Sequence, residues 1–223
     1  MQNRSSSVMA QRAEARDSLD DFPTPSWATR ALMEHVIIPN LDCPDPRMWL
    51  HALSAWEPAC NRGYMSRPLK EYFDNVYCSD IHDYSRESTG QDRLCDFIFS
   101  NTEPPNITRN GVNWIITNPP FRLAEQFIKR SFEFKSWRGT AMLVRTAFIE
   151  SVGRYERLFK SSPPSFVAQF SERVPMFKGR VDPHGSTATA YCWLVWMDGI
   201  RGTRLTWIPP CRKSLERPDD YVI

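Results

Sequence analysis

Glycine is scarce in this chain of 223 residues: there are 9, about 4% against a typical 7%. With abundant proline beside it, this scarcity points to unusually stiff loops. Long apolar runs are also missing. No stretch approaches the roughly 18 residues needed to cross a bilayer, and the opening MQNRSSSVMAQRAEAR has no apolar centre like that of a secretory signal. A soluble, cytoplasmic protein with no membrane partner is therefore expected. The six cysteines, Cys43, Cys60, Cys78, Cys95, Cys192 and Cys211, include no C-x-x-C pair, and several stand in apolar runs. They read as buried free thiols, and no metal is assigned. His82 follows Cys78 by four residues, a spacing more typical of a strand end than of a zinc site.

Proline is abundant where glycine is not: 18 residues, including Pro-Pro pairs at 104/105, 119/120, 163/164 and 209/210. With 41% hydrophobic and 13% aromatic residues the chain is too apolar to be a disordered proline-rich linker. It is long enough to bury a substantial core as one domain. The net charge of +2 says little, but its distribution says more. From Arg122 to Arg180 there are 12 Lys+Arg and 5 Asp+Glu, net +7, which leaves 16 against 21, net −5, elsewhere. Such a segment is either a solvated basic face or a surface for phosphates.

Residues 1–18 are polar and without apolar period, and read as a flexible tail ahead of a single domain over 19–210; 211–223 read as a C-terminal tail. Ser26 is expected to cap a helix running to about Val36, with Ala28, Ala31, Leu32, His35 and Val36 on one face. A first strand is expected within Met48 to Trp56, a short helix to about Phe73, a second strand from Val76 to Ile81, and a short third within Leu94 to Phe99. Asn113 to Thr117 is the next strand, followed by a helix carrying Leu123, Phe127, Ile128 and Phe132. Thr140 to Val144, a helix from Gly153 to Lys160, Phe166 to Phe170 and Ala190 to Trp196 complete the series. This alternation predicts an α/β fold with a mostly parallel twisted sheet, helices on both faces and an antiparallel C-terminal hairpin.

In such sheets ligands sit at the carboxyl ends of the strands, so residues just after strands carry the functional information. Glu57 to Met65 follows the first strand. Asp80 closes the second, placed either to accept from a ribose diol or to cap the turn that follows. Asn118-Pro119-Pro120-Phe121 follows the fourth. Its two prolines fix φ and remove two N–H donors, leaving a stiff, carbonyl-rich turn between an amide and an aromatic ring. That turn suits an exocyclic NH₂: Asn118 Oδ1 and the Pro119 carbonyl accept its hydrogens while Phe121 stacks on the attached ring. Accepting both hydrogens localises the nitrogen lone pair and makes a poor nucleophile a better one. No cysteine stands near the turn in a nucleophile's setting.

From about Phe22 to Trp196 the chain resembles the amino-methyltransferase group of S-adenosylmethionine-dependent DNA methyltransferases, in particular small N6-adenine enzymes of phage or prophage type. The resemblance rests on the ordered set Pro23-Thr24-Pro25, Glu57-Pro58-Ala59 through Gly63, Asp80, and Asn118-Pro119-Pro120-Phe121. It implies a Rossmann-like methyltransferase fold and S-adenosylmethionine as cofactor. The implied cofactor residues are Pro23, Thr24 and Pro25 near the methionine end, Glu57, Pro58, Ala59, Asn61 and Gly63 in the loop, Asp80 with Ile81 at the ribose, and Asp96 with Phe97 beside the adenine. Asn118, Pro119, Pro120 and Phe121 are the implied catalytic residues, and DNA the implied substrate. The family usually has glycine where Asn61 stands. Asparagine tolerates the left-handed conformation better than other residues with a side chain, provided that side chain points away from the cofactor.

Arg122 beside the turn, and Arg173, Lys178 and Arg180 on the long connection Ser171 to Ala190, are the candidate nucleic-acid contacts. RNA and protein-glutamine methyltransferases use a similar tetrad, cytosine N4 presents the same amine, and Asn61 also fits a catalytically impaired nucleic-acid-binding relative. Whether the protein is a monomer or a homodimer is left open by the sequence.

Overall fold

The computed structural model describes residues 20–87, 90–99 and 102–222. The expected tail over 1–18 lies outside the described residues. Eight strands form one sheet: β1 (Ser54–Glu57), β2 (Asn75–Asp80), β3 (Arg93–Leu94), β4 (Trp114–Thr117), β5 (Gly139–Arg145), β6 (Phe166–Phe170), β7 (Tyr191–Met197) and β8 (Arg204–Ile208). Their order is β3-β2-β1-β4-β5-β7-β6-β8. Only β7 runs antiparallel to its neighbours. The sheet is therefore mostly parallel, as the alternation of elements predicts.

Strand burial follows position. β4 and β7 are buried throughout and β5 all but its last residue, as expected of strands covered on both faces. Alternate residues then supply two cores. Ala55, Trp114, Ile116, Ala141, Leu143 and Trp193 meet α1 (Ser26–Leu32), α2 (Pro46–His51) and α3 (Ser66–Leu69) on one face. Trp56, Ile115, Met142, Val144, Cys192 and Leu194 meet α4 (Pro105–Asn110) and α5 (Ala124–Ser131), together with Leu158, on the other. Two short further α-helices among the described residues are α6 (Val152–Arg154) and α7 (Arg212–Leu215). No helix among the described residues is long and apolar enough to cross a membrane.

Several expectations are corrected. Met48 to His51 is helix, not strand, because Asp45 accepts the Met48 N–H at 3.0 Å and Pro46 starts α2; the first strand is only Ser54–Glu57. Ser26 is not a cap: it is the first residue of α1, and its hydroxyl donates to the Tyr64 carbonyl at 2.9 Å. The third strand is two residues long, since Phe97 turns inward to the core. β6 and β7 do pair antiparallel, but the chain continues into β8, which lies outside β6 and parallel to it. Residues 211–222 are packed rather than a loose tail, with Asp220 held by Arg30 Nη1 and Nη2 at 2.8 Å each.

Candidate active site

Because β1, β2, β3, β4 and β5 are mutually parallel, Glu57, Asp80, Asp96, Asn118 and Arg145 all lie at or just beyond one edge of the sheet. The strand order reverses between β1 and β4, which places Glu57 beside the end of β4 at the switch point.

The loop after β1 is built around Asn61, which takes φ of 51° in the left-handed region. Gly63 follows at φ 85°. The Asn61 side chain is tied down: Nδ2 donates to Asp21 Oδ1 at 2.6 Å and to the Tyr84 hydroxyl at 3.3 Å, and Oδ1 accepts from the Arg62 N–H at 2.7 Å. Arg62 also pairs with Asp21 at 3.1 Å and lies over the Tyr84 ring. Asp80 Oδ2 accepts from the Asn61 N–H at 3.0 Å and Oδ1 from the His82 N–H at 2.9 Å, so it both braces the loop and caps the turn after β2. Each carboxylate oxygen keeps a second lone pair, which fits a diol. Burial pushes the Asp80 pKa up, and the two N–H groups restrain the rise. Ile81 beside it is 68% exposed, an apolar surface at the strand end.

Glu57 is buried, and its Oε2 has no hydrogen-bond partner. Burial, reinforced by the nearby Asp80 charge, holds its carboxyl well above the usual carboxylate range. A buried acceptor without a donor costs about 1–3 kcal/mol or more, and an incoming ammonium or N–H would satisfy it.

Asn118 has the same character. Its Nδ2 donates to the Phe22 carbonyl at 2.9 Å, which orients the amide, while Oδ1 is buried without a partner. The Phe121 N–H donates to Asp20 Oδ2 at 2.6 Å, and the Phe121 ring meets Phe22, centroids 5.4 Å apart. Residues Asp20 to Phe22 thus form a strap joined to the Asn118 turn at Asp20 and Phe22 and to the Asn61 loop at Asp21. Thr24 is buried, with its hydroxyl 3.9 Å from the Met176 sulfur. Among the thiols, Cys192 is pushed up to about 12 by burial and Cys60 is also raised by burial, which suits neither to nucleophilic work.

The candidate residues do not all converge. Asp96 accepts from the Ile98 N–H at 3.1 Å and stays near the edge, but the Phe97 ring packs into the core against Trp56 and Phe127. Phe97 therefore offers no ring to a ligand, which corrects the pairing expected for it. Arg122, Arg173, Lys178 and Arg180 are exposed. The connection that carries the last three is anchored by buried Val174 and Met176 and by the Gly179 N–H donating to the Asp21 carbonyl at 2.9 Å, so it lies beside the strap. Sequence reasoning missed Asp20, Asp21 and Arg145. The rule applied to the other strand ends finds Arg145, because it directly follows the expected strand Thr140 to Val144.

No family model matches this chain, and no curated protein matches it either. Solved structures do. A protein from Listeria monocytogenes named as a class I S-adenosylmethionine-dependent methyltransferase aligns with 91% of this chain and 69% of its own, at 12% identity and a TM-score of 0.53. The 23S rRNA methyltransferase ErmE aligns over 77% and 67% at 14% identity and 0.47. A mutant DNMT2 from Spodoptera frugiperda aligns over 71% and 55% at 15% identity and 0.47. The chain has the Rossmann-like fold of the Listeria monocytogenes protein.

Proposed function

We propose that the chain transfers a methyl group from S-adenosylmethionine to the exocyclic amine of a base in DNA, adenine N6. The observation that carries this reading is Asn118 Oδ1: a buried acceptor without a partner, oriented by the Phe22 carbonyl, in a proline-stiffened turn next to an aromatic ring. It is an atom prepared for a donor that the protein itself does not provide.

Glu57, the Asn61 loop, Asp80 and Ile81 would hold the cofactor, Glu57 Oε2 and Asp80 being the acceptors that its ammonium and its ribose hydroxyls would meet. Bound there, S-adenosylmethionine supplies a methyl on a sulfonium sulfur, which is left as a thioether when the amine lone pair forms the new nitrogen–carbon bond and one amine proton passes to water. Asn118 and the Pro119 carbonyl accept the amine hydrogens and so raise the nucleophilicity of the nitrogen, and the remaining work of the site is positioning. A base in duplex DNA must leave the stack to reach this turn, at a cost of a few kcal/mol. Stacking on Phe121 returns about 1–3 kcal/mol of that. The exposed Arg122, Arg173, Lys178 and Arg180 favour a polyanion over a peptide as substrate.

Incubation with methyl-labelled S-adenosylmethionine and a mixture of DNA, RNA and protein, followed by digestion of the DNA to nucleosides, tests the reading. Label in N6-methyladenine is the expected result. Label in RNA, in protein glutamine or in N4-methylcytosine replaces the substrate, and no label anywhere rejects the activity.

A further inference from the structure

Strand β5 is buried from Gly139 to Val144 and exposed only at Arg145, its last residue. Arg145 ends on the same sheet edge as Glu57, Asp80 and Asn118. Its guanidinium carbon is 4.0 Å from the centroid of the Phe121 ring, a stacking distance. Tyr191, its register partner on β7, is buried 6.5 Å from the Phe121 centroid and close enough to Arg145 for the positive charge to counter the rise that burial imposes on its hydroxyl.

A base that stacks on Phe121 must take ring surface now held by Phe22 or by Arg145. Phe22 is tethered, because Pro23 follows it and its carbonyl orients Asn118. Arg145 is an exposed side chain held by a cation–π contact and a hydrogen bond with Tyr191, and a stacked base outweighs the cation–π contact. Arg145 is the group that yields. A guanidinium released next to a stacked nucleotide has that nucleotide's phosphate as its nearest strong acceptor, and the planar fork of arginine matches phosphate oxygens.

We infer that Arg145 is a substrate-binding residue of this site: its guanidinium covers Phe121 in the free protein, gives way to the target base, and pairs with the phosphate of the same nucleotide. The inference rests on the nucleic-acid reading given above.

Fluorescence anisotropy with labelled single-stranded oligodeoxyadenosine, measured across a series of salt concentrations, tests it on the wild type, Arg145→Ala and Arg145→Lys. Arg145→Ala is expected to bind about tenfold more weakly at low salt, as for one lost charged hydrogen bond, and to lower the slope of log affinity on log salt by about 0.7, one phosphate contact. Arg145→Lys restores the slope. All three proteins show the same rise in melting temperature with S-adenosylmethionine. Equal affinity and slope in wild type and Arg145→Ala overturn the role of Arg145 while leaving the nucleic-acid reading intact; so does a loss of the cofactor-dependent rise in Arg145→Ala, which marks a structural role. A wild type that binds no oligonucleotide but still responds to S-adenosylmethionine overturns the nucleic-acid reading and this inference with it.

Discussion

Asp220, near the end of the chain, is 6% exposed and gripped by Arg30 through two hydrogen bonds of 2.8 Å, while Arg30 also holds Glu71. Glu57, at the end of β1, is 2% exposed and keeps one carboxylate oxygen with no partner in the protein. The C-terminal clasp buries an ion pair and completes its hydrogen bonds; the strand edge buries an acid whose carboxyl stays well above the usual range and leaves one of its oxygens unpartnered. An unmet buried acceptor lowers stability, so on the proposed function the clasp serves the fold and the strand edge is left open for a ligand. Three of the six unpartnered buried atoms among the described residues, Glu57 Oε2, Thr117 Oγ1 and Asn118 Oδ1, lie at the carboxyl ends of β1 and β4, which are neighbours in the sheet.

The contrast breaks first at the clasp. Asp220→Ala leaves Arg30 buried with Glu71 and the Leu215 carbonyl, and is expected to cost about 3 kcal/mol in denaturant unfolding. The folded variant keeps wild-type affinity for S-adenosylmethionine. At the strand edge the signs reverse. The raised Glu57 pKa means that the folded protein keeps a proton that the unfolded chain releases, so wild-type stability is fully present below the usual carboxylate range and declines as pH rises through the folded value. Glu57→Gln is expected to remove that decline and melt above wild type at pH 8, while binding S-adenosylmethionine about tenfold more weakly for want of a charged acceptor. A thermal scan across pH, with and without cofactor, reads both effects. The smallest change sharpens the picture of the loop. Asp21→Ala loosens the Asn61 side chain, whose Nδ2 keeps only its bond to the Tyr84 hydroxyl, and is expected to weaken cofactor binding about threefold, part of what one charged hydrogen bond is worth. Asn61→Gly in the same chain removes the side chain that needed holding and restores the affinity, so the two substitutions are not additive by calorimetry.

Much of this edge was legible in the sequence because its signals are local. Asn118-Pro119-Pro120-Phe121 announces itself by two fixed φ angles, and the left-handed backbone at Asn61 is expected only through the resemblance, which puts glycine at that position. What was not legible depends on residues far apart in the chain. Asp20 and Phe22 reach the Asn118 turn across about a hundred positions, and Asp220 reaches Arg30 across 190. No pattern in either segment names its partner. Met48 looked like strand because its apolar neighbours outweigh the Asp45-Pro46 start signal in a linear reading. β8 had a signal, the alternating Arg204-Leu205-Thr206-Trp207-Ile208 between Gly202 and Pro209, but its place outside β6 follows only from the assembled sheet. Phe97 is the opposite case: the position is at the edge, and core packing takes the ring away from it.

The unpartnered Asn118 oxygen is proposed as the acceptor of the reacting amine, and one paired measurement tests that role. Wild type and Asn118→Ala are compared for the melting-temperature rise with S-adenosylmethionine and for the rate of label transfer to DNA. An equal rise with transfer slowed about a thousandfold is the predicted result, the size expected for losing one preorganised polar contact to the reacting group. Transfer at the wild-type rate by Asn118→Ala contradicts it.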